Sequence, residues 1–116
     1  MVTLDDIRSI AMQLPRTTEG IVRGSVRWRV RGIVYAAVSA DETLMGFGFP
    51  KEQRDGLVGG DPARFVMPRT SDLRFNWVHA RMHTIDEDEM IELIVDGWRM
   101  VVPKKVWSTF DESTLR

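Results

Sequence analysis

The chain has 116 residues, 43% hydrophobic and 28% charged, with a formal net charge of -1. That is the size of one domain with one core, so the expected organisation is a single domain over residues 1–116. There is no cysteine, which excludes disulfides, thiolate metal sites and a cysteine nucleophile.

The start "MVTLDDIRS" lacks the basic, apolar pattern of a signal peptide, and there is no long apolar run of membrane-spanning length. A cytoplasmic location and no membrane partner are expected. Near-neutral net charge argues mildly against a protein that coats nucleic acid, but its distribution is uneven. Arg16 to Arg31 holds five arginines and one acid, Glu19, whereas Asp86 to Asp96 holds six acids and no base.

Taken in order, "TLDDIRSIAMQLP" opens with a helix. Leu4, Ile7, Ile10, Ala11 and Leu14 recur at helical spacing, Thr3 suits the N-cap, Asp5 and Asp6 suit the positive end of the dipole, and Pro15 stops it. The period then changes to two. "SVRWRV" and "IVYAAV" form a hairpin about Arg31-Gly32, Gly32 supplying a positive φ. Pairing Val30 with Ile33 sets Trp28 opposite Tyr35 and Val26 opposite Ala37 on an apolar core face. Arg29 then lies opposite Val34 and Arg27 opposite Ala36 on the other face, with Arg31 in the turn.

"TLMGFGF", residues 43–49, is a third strand ended by Pro50. A short helix runs from Lys51 to about Val58, closed by Gly59 and Gly60, and "DPARFVMP" turns into a short extended piece. Trp77 to His83 is a strand with Val78, Ala80 and Met82 inward and Trp77, His79, Arg81 and His83 outward.

In "DEDEMIELIVDGWRMVV", Asp86 caps a helix with Glu89 three residues on, and Ile85 and Met90 suit a hydrophobic staple. Met90, Leu93, Ile94, Trp98 and Val101 form its buried stripe. Gly97 on that stripe costs about 1 kcal/mol relative to Ala, which points to a close approach of helix to sheet. Pro103 ends the helix, and Val106, Trp107 and Phe110 can dock a terminal segment. With too few crossover helices for a doubly wound sheet, the fold class is α+β: a mainly antiparallel sheet with helices on one face and the arginines on the other.

"LPRTTEG", "RWRVRGIVYAAV", "DPARF" and "IVDGWRMVVPKKV" resemble the MmcQ/YjbR family nearly end to end. That family typically shows an F-R-V-R-G-K type turn and a W-R-x-V-A-P-K-R type ending. Trp98, Arg99, Pro103, Lys104, Arg29, Arg31 and Gly32 match those motifs, and "MGFGFP" departs from the more polar strand usual there. The resemblance implies a YjbR-like α+β fold and a DNA-binding role, sometimes described as a double wing. It points to Arg29, Arg31, Arg99, Lys104 and Lys105.

The outward strand pattern adds Arg27, Arg81 and Trp77, the last as a surface on which bases stack. Double-stranded DNA is the first expected partner. A protein partner or a homodimer on the open sheet, or along an exposed edge of "TLMGFGF", is the alternative, and a cation or small-molecule binder at Asp86 and Glu89 the third. His79 and His83 would lie about 13 Å apart on a strand, too far to share an ion. No metal site, cofactor or catalytic pattern is present in the sequence, so the chain is expected not to be an enzyme.

Overall fold

The computed structural model describes residues 1–115. Helix α1 (Leu4–Ala11) precedes β1 (Thr18–Val22), β2 (Ser25–Val30), β3 (Ile33–Val38) and β4 (Leu44–Gly48). Helix α2 (Lys51–Gly60), β5 (Phe65–Val66), β6 (Trp77–Arg81), α3 (Glu87–Arg99) and α4 (Lys104–Trp107) follow. The strands form one antiparallel sheet in the order β1-β2-β3-β4-β6-β5, so β4, in "TLMGFGF", is paired on both sides and is not the exposed edge expected of it. The fold is α+β.

Helix α1 starts where a reciprocal cap is available. Thr3 Oγ1 accepts from the Asp6 amide at 3.2 Å, and Asp6 Oδ2 accepts from the Thr3 amide at 2.9 Å. It ends at Ala11, four residues before Pro15. Leu14 still buries, and Arg16 turns the chain with a φ of 66°.

Strand β1 is not announced by any pattern in the sequence. It is an edge strand with a glycine and a polar start, and it is held by full-length pairing with β2, from Thr18 with Arg29 to Val22 with Ser25. Both hairpins close through an Arg-Gly pair with positive φ at both residues, 52° and 82° at Arg23-Gly24 and 53° and 79° at Arg31-Gly32. This is the type I′ geometry that matches strand twist. Arg31 as well as Gly32 therefore carries the left-handed backbone.

The β2–β3 register follows expectation at Val30 with Ile33 and Arg29 with Val34, then shifts by one. Trp28 faces Ala36, Arg27 faces Ala37 and Val26 faces Val38. The irregularity is a bulge that gives β3 an extra residue, so Tyr35 and Ala36 are consecutive and both buried. The Tyr35 hydroxyl lies 2.9 Å from Thr17 Oγ1 and 3.4 Å from the Ala11 carbonyl, to which it donates. Burial pushes its pKa up to about 12, so it remains a donor. Ile33, expected in the core, sits beside the turn and is 55% exposed.

The strand over residues 77–83 is also shorter than expected. Residues 82–84 form a tight turn instead, fastened by Thr84 Oγ1 donating to the Arg81 carbonyl at 2.7 Å. Met82 remains buried and His83 is exposed off the sheet.

Alternation builds the rest of the core. Val26, Trp28 and Val30, Met45 and Phe47, and Val78 and Ala80 all point to the side covered by α1 and α3. Asp86 caps α3 by accepting from the Glu89 amide at 2.8 Å. Its buried stripe is Met90, Ile91, Ile94, Val95 and Trp98, with Leu93 and Val101 only half-buried. α3 stops at Arg99, short of Pro103, and α2 runs through Gly59 and Gly60 to its C-cap at Asp61.

Gly97 makes the close approach expected of it. A Cβ there would stand 3.1 Å from both the Gly48 amide nitrogen and the Tyr35 carbonyl oxygen. Both are rigid backbone atoms, so Gly97→Ala is expected to destabilise by about 1–3 kcal/mol despite its better helix propensity. Gly56→Ala, in an exposed helix position with nothing within 4 Å, is expected to stabilise by up to about 1 kcal/mol. Urea unfolding of the two variants checks this; equal midpoints would refute it.

Candidate functional site on the open sheet face

The face turned away from α1 and α3 is organised by register. Gly20, Arg27, Ala37, Gly46, His79 and Val66 form one row across all six strands. Arg29 lies between Thr18 and Val34 in the next row, Trp77 pairs with Gly48 and Arg81 with Leu44. Arg27 and Arg29 on β2 and Trp77, His79 and Arg81 on β6 therefore share one surface.

That surface is concave, with a groove of about 890 Å³ whose lining includes Arg23, Arg27, Ala37, Gly46, Trp77 and His79. The end of α3 closes one side with Met100 and Val101, and the segment before β6 closes another with Arg69, Asp72 and Phe75. Of the large apolar side chains left exposed, Ile33, Phe75 at 51% and Met100 at 43% all border this groove.

The Trp77 indole lies directly on Gly46. A Cβ at Gly46 would come within 2.4 Å of Cζ2, so a side chain there would displace the indole. Trp77 Nε1 donates to His79 Nε2 at 3.0 Å, which assigns the ring proton to Nδ1 and makes the histidine neutral. Burial lowers the His79 pKa, with Asp72 opposing the shift and Arg69 adding to it.

Arg54, which no motif of the sequence singles out, positions this wall. It is 6% exposed, and its guanidinium donates to the carbonyls of Leu73 at 2.7 Å, Phe75 at 2.9 Å and Trp77 at 3.0 Å. Asn76 Oδ1 accepts from the Lys51 amide at 3.0 Å. The available signal was spacing: Arg54 lies three and four residues before Leu57 and Val58, on the inward stripe of α2.

Charge pairing separates the arginines. Arg8, Arg64, Arg69 and Arg99 hold ion pairs. Arg23, Arg27, Arg29, Arg31 and Arg81 have none among the described residues. Glu19, the one acid in the arginine segment, pairs across strands with Trp28 and is used on the opposite side. Arg8 Nε and Trp28 Nε1 both donate to its Oε1 at 2.9 Å. The Arg8 guanidinium holds the Glu19 carboxyl below its ordinary range.

The C-terminal cations lie elsewhere. Arg99 is bound by Asp96 and Glu112 and stands over the Trp107 ring, so it fastens the terminal segment. Lys104 and Lys105 begin α4, and Lys105 lines a separate hollow with Pro15, Arg16 and Phe110. At the acidic helix start, Asp86 is engaged as the cap and Glu89 is paired with Arg64. No cluster of three or more metal-ligating residues occurs among the described residues. Nor is any helix among them long and apolar enough to cross a membrane.

This fold and its motifs define a YjbR-like α+β domain. A family model described as YjbR matches residues 12–100, and the chain belongs to that family. The crystal structure of Deinococcus radiodurans protein DR2400, with family-model domain DUF419, is similar in fold. It superposes with a TM-score of 0.76 at 20% identity over 97% of this chain and 85% of that one. No curated protein matches the chain.

Two outcomes follow from this geometry. Because its folded pKa is lowered, neutral His79 contributes stability that is complete above the ordinary value of 6.5 and is lost as pH falls through the depressed value. A ring-proton NMR titration is expected to place the His79 midpoint below 6.5, with the Trp77 indole N–H moving in step; a midpoint above it would contradict the assignment. Arg54→Met keeps the stem but strands three carbonyls, and is expected to cost about 2–4 kcal/mol in urea unfolding. A loss under about 1 kcal/mol, the typical net worth of one hydrogen bond, would show the clamp is dispensable.

Proposed function

We propose that the protein binds DNA through the open sheet face, without catalytic turnover, the guanidinium groups of Arg27, Arg29, Arg31 and Arg81 meeting backbone phosphates. The observation that carries this reading is the absence of any acid partner for these arginines within the described chain. An unpaired guanidinium is a bidentate donor set suited to phosphate. Two type I′ turns, each presenting an exposed arginine, lie at opposite ends of β2 and extend the basic surface beyond the sheet. The family resemblance supports the same reading. Double-stranded DNA is the first substrate to test, and Lys104 and Lys105 form a second, separate basic patch.

A protein-binding or self-associating role has one observation in its favour: β1 is an edge strand, and its Ile21 is 68% exposed. Strand addition along that edge gives a concentration-dependent mass in sedimentation and leaves the arginine face free.

Fluorescence anisotropy with labelled duplex DNA at two salt concentrations tests the main reading. Affinity is expected to fall with salt. Replacing Arg27, Arg29 and Arg31 together by Ala is expected to lower the log-log slope by about 2–3, near 0.9 per lost phosphate contact. Circular dichroism confirms folding of the variant. No binding at low salt, or a slope unchanged in the folded variant, would remove the proposal.

A further inference from the structure

We infer that the groove on the open face takes a single unpaired nucleotide, its base against Trp77 and Phe75 and its phosphate on Arg27, so that the protein prefers unpaired over fully duplex DNA. This rests on the DNA-binding reading and goes beyond it, because phosphate contacts alone do not distinguish single from double strands.

The groove is divided in its chemistry. On the β6 side stand an indole and an exposed phenyl ring, with Arg74 positioned 4.8 Å over the Phe75 ring centroid. On the β2 side stand Arg23 and Arg27, neither with an acid partner among the described residues. Between them the floor is uncharged: Val34 and Ala37 on β3 and Leu44 on β4, with Gly46 lying under the indole itself. Three inter-strand spacings separate β2 from β6, about 14 Å of backbone. A planar apolar group at one side and an anion at the other is the ligand such a division recognises, and a nucleotide has that form.

Size and access agree. A volume of about 890 Å³ falls in the range of small-ligand pockets, roughly 300–1,000 Å³, whereas a duplex keeps its base faces stacked and hidden. Splayed bases can stack on aromatic side chains regardless of sequence. Neutral His79 fixes the indole through its Nε2 acceptor, so the aromatic surface is held before the ligand arrives. Arg54 fixes the carbonyls of Phe75 and Trp77 from behind.

The same chemistry is available from a free nucleotide or from an unpaired position in a strand, and the test separates them. A short single-stranded oligodeoxynucleotide, its duplex, and free deoxynucleoside monophosphate are titrated while tryptophan fluorescence is read. Trp28 and Trp98 are fully buried and the half-buried Trp107 lies on α4 beneath Arg99, outside the groove, so the part of the quenching that disappears in Trp77→Phe reports the groove. The single strand is expected to bind about tenfold more tightly than the duplex. Phe75→Ala, at an exposed position, and Gly46→Ala, which displaces the indole, are each expected to reduce that preference while salt dependence persists. Competition by the monophosphate at similar concentration would assign the groove to the free nucleotide and support the same contact chemistry. Duplex binding equal to or tighter than single-strand binding, or a preference unaffected in both folded variants, overturns the inference and leaves phosphate binding standing. No binding of any of the three overturns both.

Discussion

Helix α3 touches the backbone of the sheet at Gly97, and the side chain absent there lets the helix sit against Gly48 and the carbonyl of Tyr35. The consequences spread in both directions along the helix. Toward its start, the buried stripe from Met90 to Trp98 fills the space over β3 and β4 beside α1. Trp98 Nε1 then reaches the Pro15 carbonyl at 2.9 Å and ties the helix to the end of the first turn of chain. Toward its end, Met100 and Val101 emerge on the rim of the opposite face. One close contact thus places the bulk of the apolar core on one side and helps shape the groove on the other.

The bare face follows from that asymmetry. Strand alternation sends Trp28 and Glu19 toward the helices and Arg27 and Arg29 away from them, so the local acid is consumed where the arginines cannot meet it. A chain of near-zero net charge can in this way present an uncompensated basic surface. Groove shape adds a second constraint. Gly46 accommodates the indole, Gly48 accommodates the helix, and Arg54 pins three carbonyls of the segment that forms the wall.

Much of this was legible in the sequence where a local chemical rule applies. Thr3 and Asp86 cap the helices as their side chains suggest, the Arg31-Gly32 turn forms a hairpin, and Gly97 marks a close approach. The outward placement of Arg27, Arg29, Trp77 and Arg81 follows from alternation alone. Other features depend on tertiary context. β1 carries little apolar periodicity and exists through pairing with β2. The bulge at Tyr35 accompanies the contact of its hydroxyl with Thr17 and Ala11, which lie far away in sequence. His83 leaves the strand because the turn at residues 82–84 intervenes. Of the cations suggested by the family motif, Arg99 is engaged by Asp96 and Glu112, and Lys104 and Lys105 lie on α4, because α3 ends before the motif does.

What remains to be tested is the proposal that DNA binds on the sheet face opposite the helices. Backbone amide NMR shifts, followed while an oligodeoxynucleotide is added to the full chain, test it most directly. The account predicts shifts concentrated on β2, β3, β4 and β6 and at the Arg23-Gly24 and Arg31-Gly32 turns. Shifts confined to the hollow between Arg16 and Lys105, with the sheet undisturbed, would contradict it.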